Sequence, residues 1–434
     1  MIQLNKYKNQ IVAVFGLGKT GLSVINSLIN SGAKVYAWDD DDEQISKAKR
    51  VYEKCNFIHP RKYNWCEINS LIVSPGLNFK SHWITKLAKC EIKSDIELFL
   101  ETLTAEQKIV GVTGTNGKST TTSLIGHILK LAGKKVSIGG NIGNPVLNLN
   151  ADEEIYVIEF SSFQLEIIDK INVDIAVLLN ITPDHIDRHG FMENYINIKS
   201  KLVNGSKTAV IGCKTYNSFA ESKMIIPKKI SSNLLSNSDT KINLISNAEN
   251  IAAVYSVCKL LKVNDRTIID GIKTFSGLKH RNEFLGKIKN VSFVNDSKAT
   301  NAEASEKALL SYNNICWIVG GRSKTGGIEP LNRHFSKIKK AFLIGESTET
   351  FASTLENKVN FVKCVNLEKA FNLACEEAFN CEEEVTILLS PACASFDQWK
   401  NFEERGEAFR KMFENLNDVL TITHTAFMEF QNAE

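Results

Sequence analysis

The sequence predicts an α/β protein of three domains, each carrying a mostly parallel sheet, and three observations predict it. Strand, glycine-rich turn and helix follow one another at residues 11–30, and the same order returns at residues 109–132. A third series of apolar strands alternates with helical segments between residues 291 and 390. Alternation of this kind needs crossover helices, and crossover helices make parallel sheets. The 434 residues allow two to four domains at roughly 100–200 residues each.

Ile11–Phe15 reads as a buried strand, followed by Gly16-Leu-Gly18-Lys-Thr-Gly21 and a helical pattern from Leu22 to Asn30 that Gly32 stops. Strand Lys34–Trp38 ends on Asp39, and Leu71–Ser74 is a further strand closing in Pro75-Gly76, so the first unit runs to about residue 103. Gly16, Gly18 and Gly21 fit a dinucleotide fingerprint, with Asp39 close to the spacing of a ribose-binding acid. A NAD site, a nucleotide-sugar diphosphate on the helix N-terminus, and a purely structural tight turn all remain open here.

The second unit starts at Gln107 and runs to about residue 277. Ile109–Thr113 is its first strand, then Gly114-Thr115-Asn116-Gly117-Lys118-Ser119, then a helix from Ser119 to about Ala132. Glycines let backbone N–H groups curl around phosphate oxygens, and the helix N-terminus adds partial positive charge. Lys118 has the reach for the outer phosphates, and Ser119 the hydroxyl for Mg²⁺. The general phosphate-loop pattern asks for glycine at 112, where this chain has Val112. Further strands are expected at Ile155–Glu159, Ile175–Asn180 and Thr208–Cys213, a helix at Asn247–Leu261, and loops over the Ser-, Asn- and Lys-rich residues 220–245.

Ligands of such sheets sit at the carboxyl ends of the strands. Glu159 ends one strand and is a natural Mg²⁺ ligand, although a strand-end acid alone also reads as a plain surface residue. His185, flanked by Asp184 and Asp187 after the next strand, can meet a metal or substrate group. Lys199 by itself looks like a surface lysine on the helical segment Tyr195–Leu202. The third unit repeats the arrangement: His280-Arg281, Asn295-Asp296-Ser297-Lys298, Gly320-Gly-Arg-Ser-Lys324 and Ser390-Pro-Ala-Cys-Ala-Ser395-Phe396-Asp397 fall at strand ends. Arg and Lys there can clamp phosphate, and Asp296 can meet a ribose. No histidine motif serves Cys393, so it reads as a buried thiol.

A net charge of +3 over this length argues for neither nucleic acid nor membrane as main partner. The ten cysteines include no C-x-x-C pair, and free thiols suit a reducing cytosol. The first ten residues lack the apolar run of a signal peptide, and no stretch of about 18 apolar residues exists to span a membrane.

Gly114-Thr-Asn-Gly-Lys-Ser-Thr120, Gly139-Gly-Asn141-Ile-Gly143, Glu159-Phe-Ser-Ser161-Phe-Gln-Leu-Glu166 and Asp184-His-Ile-Asp-Arg188 together resemble the Mur ligases of peptidoglycan synthesis, over about Ile11 to Leu416. Val112 is normal in that family, which shares its phosphate loop with folylpolyglutamate synthases. Asn295–Asn301, Ser390–Gln398 and Phe402-Glu-Glu-Arg-Gly406 are similar to its D-glutamate-adding branch, and the Asp-Asn-Pro-Arg motif of the diaminopimelate- and lysine-adding branch is absent. Asn301-Ala-Glu-Ala-Ser and Gly321-Arg-Ser-Lys depart from the commoner forms.

The resemblance implies a Rossmann-like N-terminal domain for the UDP substrate (residues 1–103), a P-loop-type central ATPase domain (104–277) and a Rossmann-like C-terminal domain for the amino acid, with a short tail (278–434). It implies ATP contacts at Gly114, Thr115, Asn116, Gly117, Lys118, Ser119 and Thr120, and at Asn247, Asn250, Arg281 and Asp296. It implies two Mg²⁺ sites, one at Ser119 and Glu159 and one at His185 and a carbamylated Lys199. Lys118, His185, Lys199 and Lys298 are the implied catalytic set. Lys19, Thr20 and Asp39 are implied for the uridine diphosphate, with Ser74, Asn141 and His185 near the substrate; Ser161 and Thr300 are implied substrate contacts, and Lys324, Ser395, Phe396 and Phe402 are implied for D-glutamate. The expected reaction joins D-glutamate to UDP-N-acetylmuramoyl-L-alanine through an acyl phosphate, in the cytoplasm, by a monomer with no nucleic-acid partner and no membrane insertion. The alternatives are another Mur-type or folylpolyglutamate-type ligase, a nucleotide-dependent regulator that has lost catalysis, and a NAD oxidoreductase resting on residues 16–21.

Overall fold

The computed structural model of the protein describes residues 2–212, 224–225, 247–324 and 326–431. Cys213, most of the stretch 220–245 expected as loops, and Thr325 lie outside the described residues. Residues up to Phe275 form one compact unit and those from Ser276 a second.

The first unit holds two sheets. β1 (Ile11–Phe15), α1 (Lys19–Asn30), β2 (Lys34–Trp38), α2 (Asp42–Val51), β3 (Ser70–Val73), α3 (Trp83–Leu87), β4 (Glu91–Lys93) and α4 (Asp95–Leu100) build a parallel sheet ordered β2-β1-β3-β4. Val12 to Phe15 are all buried, which is why the run is continuous rather than alternating. Helix α1 starts at Lys19, three residues before the apolar pattern does, because Gly18 in extended conformation already turns the chain into it. Gly32, at φ +81°, ends it as expected.

The second sheet comprises β5 (Lys108–Thr113), α5 (Lys118–Leu131), β6 (Val136–Gly140), β7 (Ile155–Glu159), α6 (Ser162–Ile167), β8 (Val173–Leu178), α7 (Ile186–His189), α8 (Met192–Asn204), β9 (Ser206–Ile211), β10 (Met224–Ile225), α9 (Ala248–Leu260) and α10 (Asp265–Thr274). Its order is β10-β9-β8-β5-β7-β6, all parallel. Met224 and Ile225 are a correction to the expected loop: this apolar pair adds an edge strand against Ala209 and Val210. β8 stops at Leu178, short of the expected Asn180, because Asn180 turns its side chain to the phosphate loop instead of the ladder. The two sheets share a buried cluster, in which Phe99 of α4 meets Tyr156 of β7 edge-on at 5.0 Å between ring centroids. Strand β5 sits between β8 and β7, so the chain crosses to opposite sides from its carboxyl end; this is the switch point where such sheets open a crevice.

The second unit comprises β11 (Glu283–Ile288), β12 (Val291–Asn295), α11 (Ala302–Ser311), β13 (Ile315–Gly320), β14 (Ile338–Ile344), α12 (Thr348–Leu355), β15 (Phe361–Lys363), α13 (Leu367–Phe379), β16 (Val385–Leu389) and α14 (Phe402–Gln431). The order is β11-β12-β16-β13-β14-β15, parallel except for the edge strand β11. Gly286 in β11 lets the sheet approach α14 closely: an added Cβ would stand 2.6 Å from the Phe413 ring, which would have to shift. The residues after Leu416 continue this helix as far as Gln431. No described helix is long and apolar enough to cross a membrane.

Candidate active site

The loop between β5 and α5 takes its shape from glycines that nothing else can replace. Gly114 and Gly117 have φ of +150° and +88°, and a Cβ on Gly117 would lie 2.3 Å from Asn250 Oδ1. This close approach brings α9, with Asn247 and Asn250, onto the phosphate loop; Asn250 Nδ2 donates to Asn247 Oδ1 at 3.1 Å. The β8 tip clamps the loop from the other side. Asn180 Oδ1 accepts from Asn116 N at 2.8 Å, its Nδ2 donates to Asn116 O at 3.0 Å, and its carbonyl accepts from Thr115 N at 2.8 Å. Thr115 Oγ1 accepts from Thr182 N and lies 3.2 Å from Tyr195 Oη. Loop residues pinned on both sides form a preorganised cradle, with the Thr115 and Asn116 N–H groups spent on Asn180.

Lys118 folds back over this cradle, its Nζ donating to Gly114 O at 2.9 Å and Thr115 O at 2.8 Å. Ser119 and Thr120 are buried at the head of α5. Lys199, expected from sequence as a surface lysine, is 1 % exposed, and this is a correction. Helix α8 turns it inward, where Nζ donates to Gly114 O at 2.9 Å and lies 3.4 Å from Thr113 Oγ1 and 4.7 Å from the Tyr195 ring centroid. Burial, helped by the nearby Lys118 charge, holds its amine well below the ordinary lysine pKa, with Asp184 and Glu159 opposing.

Glu159 is likewise buried, which removes the reading of it as a plain surface acid. Its Oε1 accepts from Asn141 Nδ2 at 2.7 Å, while Oε2 has no hydrogen-bond partner among the described residues. A buried carboxylate oxygen left unsatisfied is costly and marks a place for a cation or donor. His185 stands at the entrance of α7 with φ +54°, its ring edge-on to Phe163 at 4.8 Å and its Nε2 3.5 Å from Asp184 Oδ2. Ser161 caps α6 through Gln164. Among the described residues no three His, Cys, Asp or Glu side chains gather as a metal site. Ser119 and Glu159 carry oxygen donors of the kind that suits Mg²⁺.

The first glycine turn closes over β3. Ser74 Oγ donates to Gly16 O at 2.9 Å, and a Cβ on Gly21 would collide with Gly16 O at 1.8 Å. Asp39 accepts from Leu17 N at 2.5 Å, so its carboxylate shapes the turn itself. Lys19 and Thr20 open α1 beside it, Lys19 exposed.

In the second unit Asp296 is buried between Ser390 Oγ at 2.8 Å and Asn282 N at 2.9 Å, and burial pushes its pKa up to about 6. Arg281 follows His280, whose Nδ1 faces Asn295 Nδ2 at 3.0 Å. Lys298 Nζ lies 5.2 Å from the Phe402 ring centroid. Thr300 and Lys324 lie on the loops after β12 and β13, Ser395 is buried, and Phe396 is 64 % exposed. Sequence reasoning gave no role to Arg405, which is 1 % exposed and ties these segments together. Its Nε donates to Ser297 Oγ at 3.0 Å, and its Nη2 to Ser297 O at 2.8 Å and Cys393 O at 3.0 Å. Cys393 is a buried thiol as expected, its pKa raised by burial to about 12. Asn180 also escaped notice; although Arg405 falls within the Phe402–Gly406 segment, nothing local gives either residue its role, because both act on segments far along the chain.

Two family models match: "Mur ligase MurD-like, N-terminal domain" over residues 10–94 and "Mur ligase middle domain" over residues 112–269. A protein of Wolbachia pipientis named UDP-N-acetylmuramoylalanine--D-glutamate ligase is 60% identical, the match covering 96% of this chain and 98% of that one. One of the same name from Rickettsia bellii is 40% identical over 95% of this chain and 99% of its own. Among solved structures, UDP-N-acetylmuramate-alanine ligase from Thermotoga maritima has a TM-score of 0.59 at 15% identity, covering 94% of this chain and 99% of that one. The MurF ligase of the same organism, in complex with ADP, has a TM-score of 0.56 at 18% identity, covering 96% and 97%. These two likenesses show the shared fold. The chain belongs to the Mur ligase family, among the UDP-N-acetylmuramoylalanine--D-glutamate ligases.

Proposed function

We propose that this protein joins D-glutamate to UDP-N-acetylmuramoyl-L-alanine at the expense of ATP, in cytoplasmic peptidoglycan precursor synthesis. The observation that carries the reading is the convergence of Lys118 and Lys199 on the Gly114 carbonyl beside a buried Glu159 with an unsatisfied oxygen. The full-length identity to proteins of that name supports the choice of substrates. Residues 1–103 bind the UDP-linked substrate through Lys19, Thr20, Asp39 and Ser74, with Asn141, Ser161 and His185 at its reacting end. Residues 104–277 bind ATP through the loop at 114–120, Asn247 and Asn250. Residues 278–434 supply Arg281 and Asp296 to the nucleotide, Lys298 and Thr300 to the active site, and Lys324, Ser395, Phe396 and Phe402 to D-glutamate.

The alanyl carboxylate attacks the γ-phosphorus of ATP; a carboxyl O–P bond forms, the bond to the β-phosphate oxygen breaks, and ADP leaves. The amine of D-glutamate then attacks the acyl carbon, loses a proton and expels phosphate. Lys118 follows the charge that builds on the transferred group. Ser119 and Glu159 fit a first Mg²⁺, and His185 and Lys199 a second, whose charge offsets that of the phosphates when bound. Lys199 fits that role as a carbamate. A depressed pKa favours the neutral amine, and a neutral amine adds CO₂, releases a proton and becomes an anionic oxygen donor.

The test offers the protein ATP, UDP-N-acetylmuramoyl-L-alanine and one amino acid at a time: D-glutamate, L-glutamate or L-lysine. Amide product with D-glutamate alone is expected. Product only with another amino acid overturns the assignment.

A further inference from the structure

Helix α7, Ile186–His189, is a single turn. One turn fixes several backbone dihedrals for a single hydrogen bond and does not hold itself in water. It also begins on His185, a branched-ring side chain in the left-handed region at φ +54°, a conformation that persists only when the surroundings enforce it. The residue that must face the reacting end of the substrate therefore depends on other groups for its position.

Arg188 supplies the enforcement. Its side chain is 9 % exposed and pairs with Glu166, which is 3 % exposed, through Nε at 3.0 Å and Nη2 at 2.8 Å. Nη2 also donates to Leu77 O at 2.5 Å and Nη1 to Gly76 O at 3.3 Å. The guanidinium carbon lies 4.0 Å from the Phe163 ring centroid, and His185 rests edge-on against that same ring at 4.8 Å. A planar fork suits this work, because it reaches one oxygen of a carboxylate and two carbonyls while stacking on an aromatic face.

We infer that Arg188 is a positioning residue for the UDP-linked substrate. Through Phe163 it sets the His185 ring, and through Gly76 and Leu77 it fixes the loop after Ser74, whose hydroxyl closes the first glycine turn. One side chain thus keeps the nucleotide end and the reacting end of the substrate site in register. The inference rests on the proposed substrate assignment.

The test compares wild type, Arg188→Ala, Arg188→Lys and Phe163→Leu in the full chain, by equilibrium binding of UDP-N-acetylmuramoyl-L-alanine and, separately, of ADP. The expected result is a Kd for the UDP substrate raised about ten-fold in both Arg188 variants, the loss of one or two charged hydrogen bonds, with ADP binding unchanged. Phe163→Leu and Arg188→Lys should both move the His185 ring resonance, assigned through His185→Gln. Lysine restores the charge but not the fork, so a purely electrostatic role would predict recovery in Arg188→Lys. If Arg188→Ala fails to fold, Arg188→Lys and Phe163→Leu decide alone. Wild-type affinity with an unmoved His185 resonance in the folded variants overturns the inference and leaves the ligase reading intact. A wild-type protein that does not bind the UDP substrate overturns both.

Discussion

Lys199 Nζ donates a hydrogen bond to the Gly114 carbonyl at 2.9 Å, inside the interior behind the phosphate loop. Two lysines share that one acceptor, since Lys118 Nζ also reaches it at 2.9 Å. Two like charges are costly so close together, and burial, with Lys118 nearby, holds the Lys199 amine well below the ordinary lysine pKa.

Lys199→Met should therefore raise stability. Methionine keeps the length of the chain, and Gly114 O keeps Lys118 as a donor. The folded-state pKa of Lys199 lies below the ordinary value of 10.5, so below 10.5 the unfolded chain binds a proton that the folded chain resists. Wild-type stability falls as pH drops from 10.5 toward the folded pKa. Melting should show the variant higher by about 2–4 °C at pH 7, with the gap closing as pH rises toward 10.5, while ligase turnover is lost. A variant that melts lower at pH 7 contradicts the account of this lysine.

Glu159→Gln separates charge from packing. The wild-type carboxylate leaves Oε2 unsatisfied, so Mg²⁺ with ADP should raise the wild-type melting temperature by about 2–4 °C at saturating ligand. Glutamine preserves the bond to Asn141 in shape but offers no charge. It should keep the fold and lose the Mg²⁺-dependent part of the shift. An equal Mg²⁺-dependent shift in both proteins would remove Glu159 from the metal site.

Asp296→Asn tests the second unit. The folded pKa of about 6 stands above the ordinary 3.8, so the native state favours the protonated acid. The relative stability this gives is full below pH 3.8 and lost as pH rises through about 6. At pH 7 the carboxylate costs stability that asparagine does not, and the variant should melt about 2–4 °C higher, the difference vanishing below pH 3.8. The KM for ATP should rise roughly ten-fold through loss of a charged acceptor. Unchanged KM would take Asp296 out of the nucleotide site.

The phosphate loop, β1, β2, β7, β12 and β13 were legible because each is a contiguous, apolar or glycine-coded run. Strand β6 was not, since Gly139-Gly140 weakens its pattern, and β15 has only three residues. The edge strand β11 has only Ile288 buried among half-buried and exposed positions, with Gly286 in its middle, and carries little apolar signal. The site divides in the same way. Gly114 to Ser119 declare themselves locally, whereas the burial of Lys199 depends on a loop 85 residues earlier. Arg405 reaches Ser297 across 108 residues, and Arg188 reaches Gly76 across 112. Pairings over such distances leave no spacing to read.

The acyl-phosphate step is the centre of the account, and isotope transfer tests it most directly. UDP-N-acetylmuramoyl-L-alanine labelled with oxygen-18 in its carboxylate is turned over with ATP and D-glutamate, and the inorganic phosphate is analysed by mass. One labelled oxygen is expected in each phosphate released, and almost no phosphate is expected with Lys118→Ala, whose turnover should fall by about three orders of magnitude or more. Amide product formed by the wild type with unlabelled phosphate would contradict it.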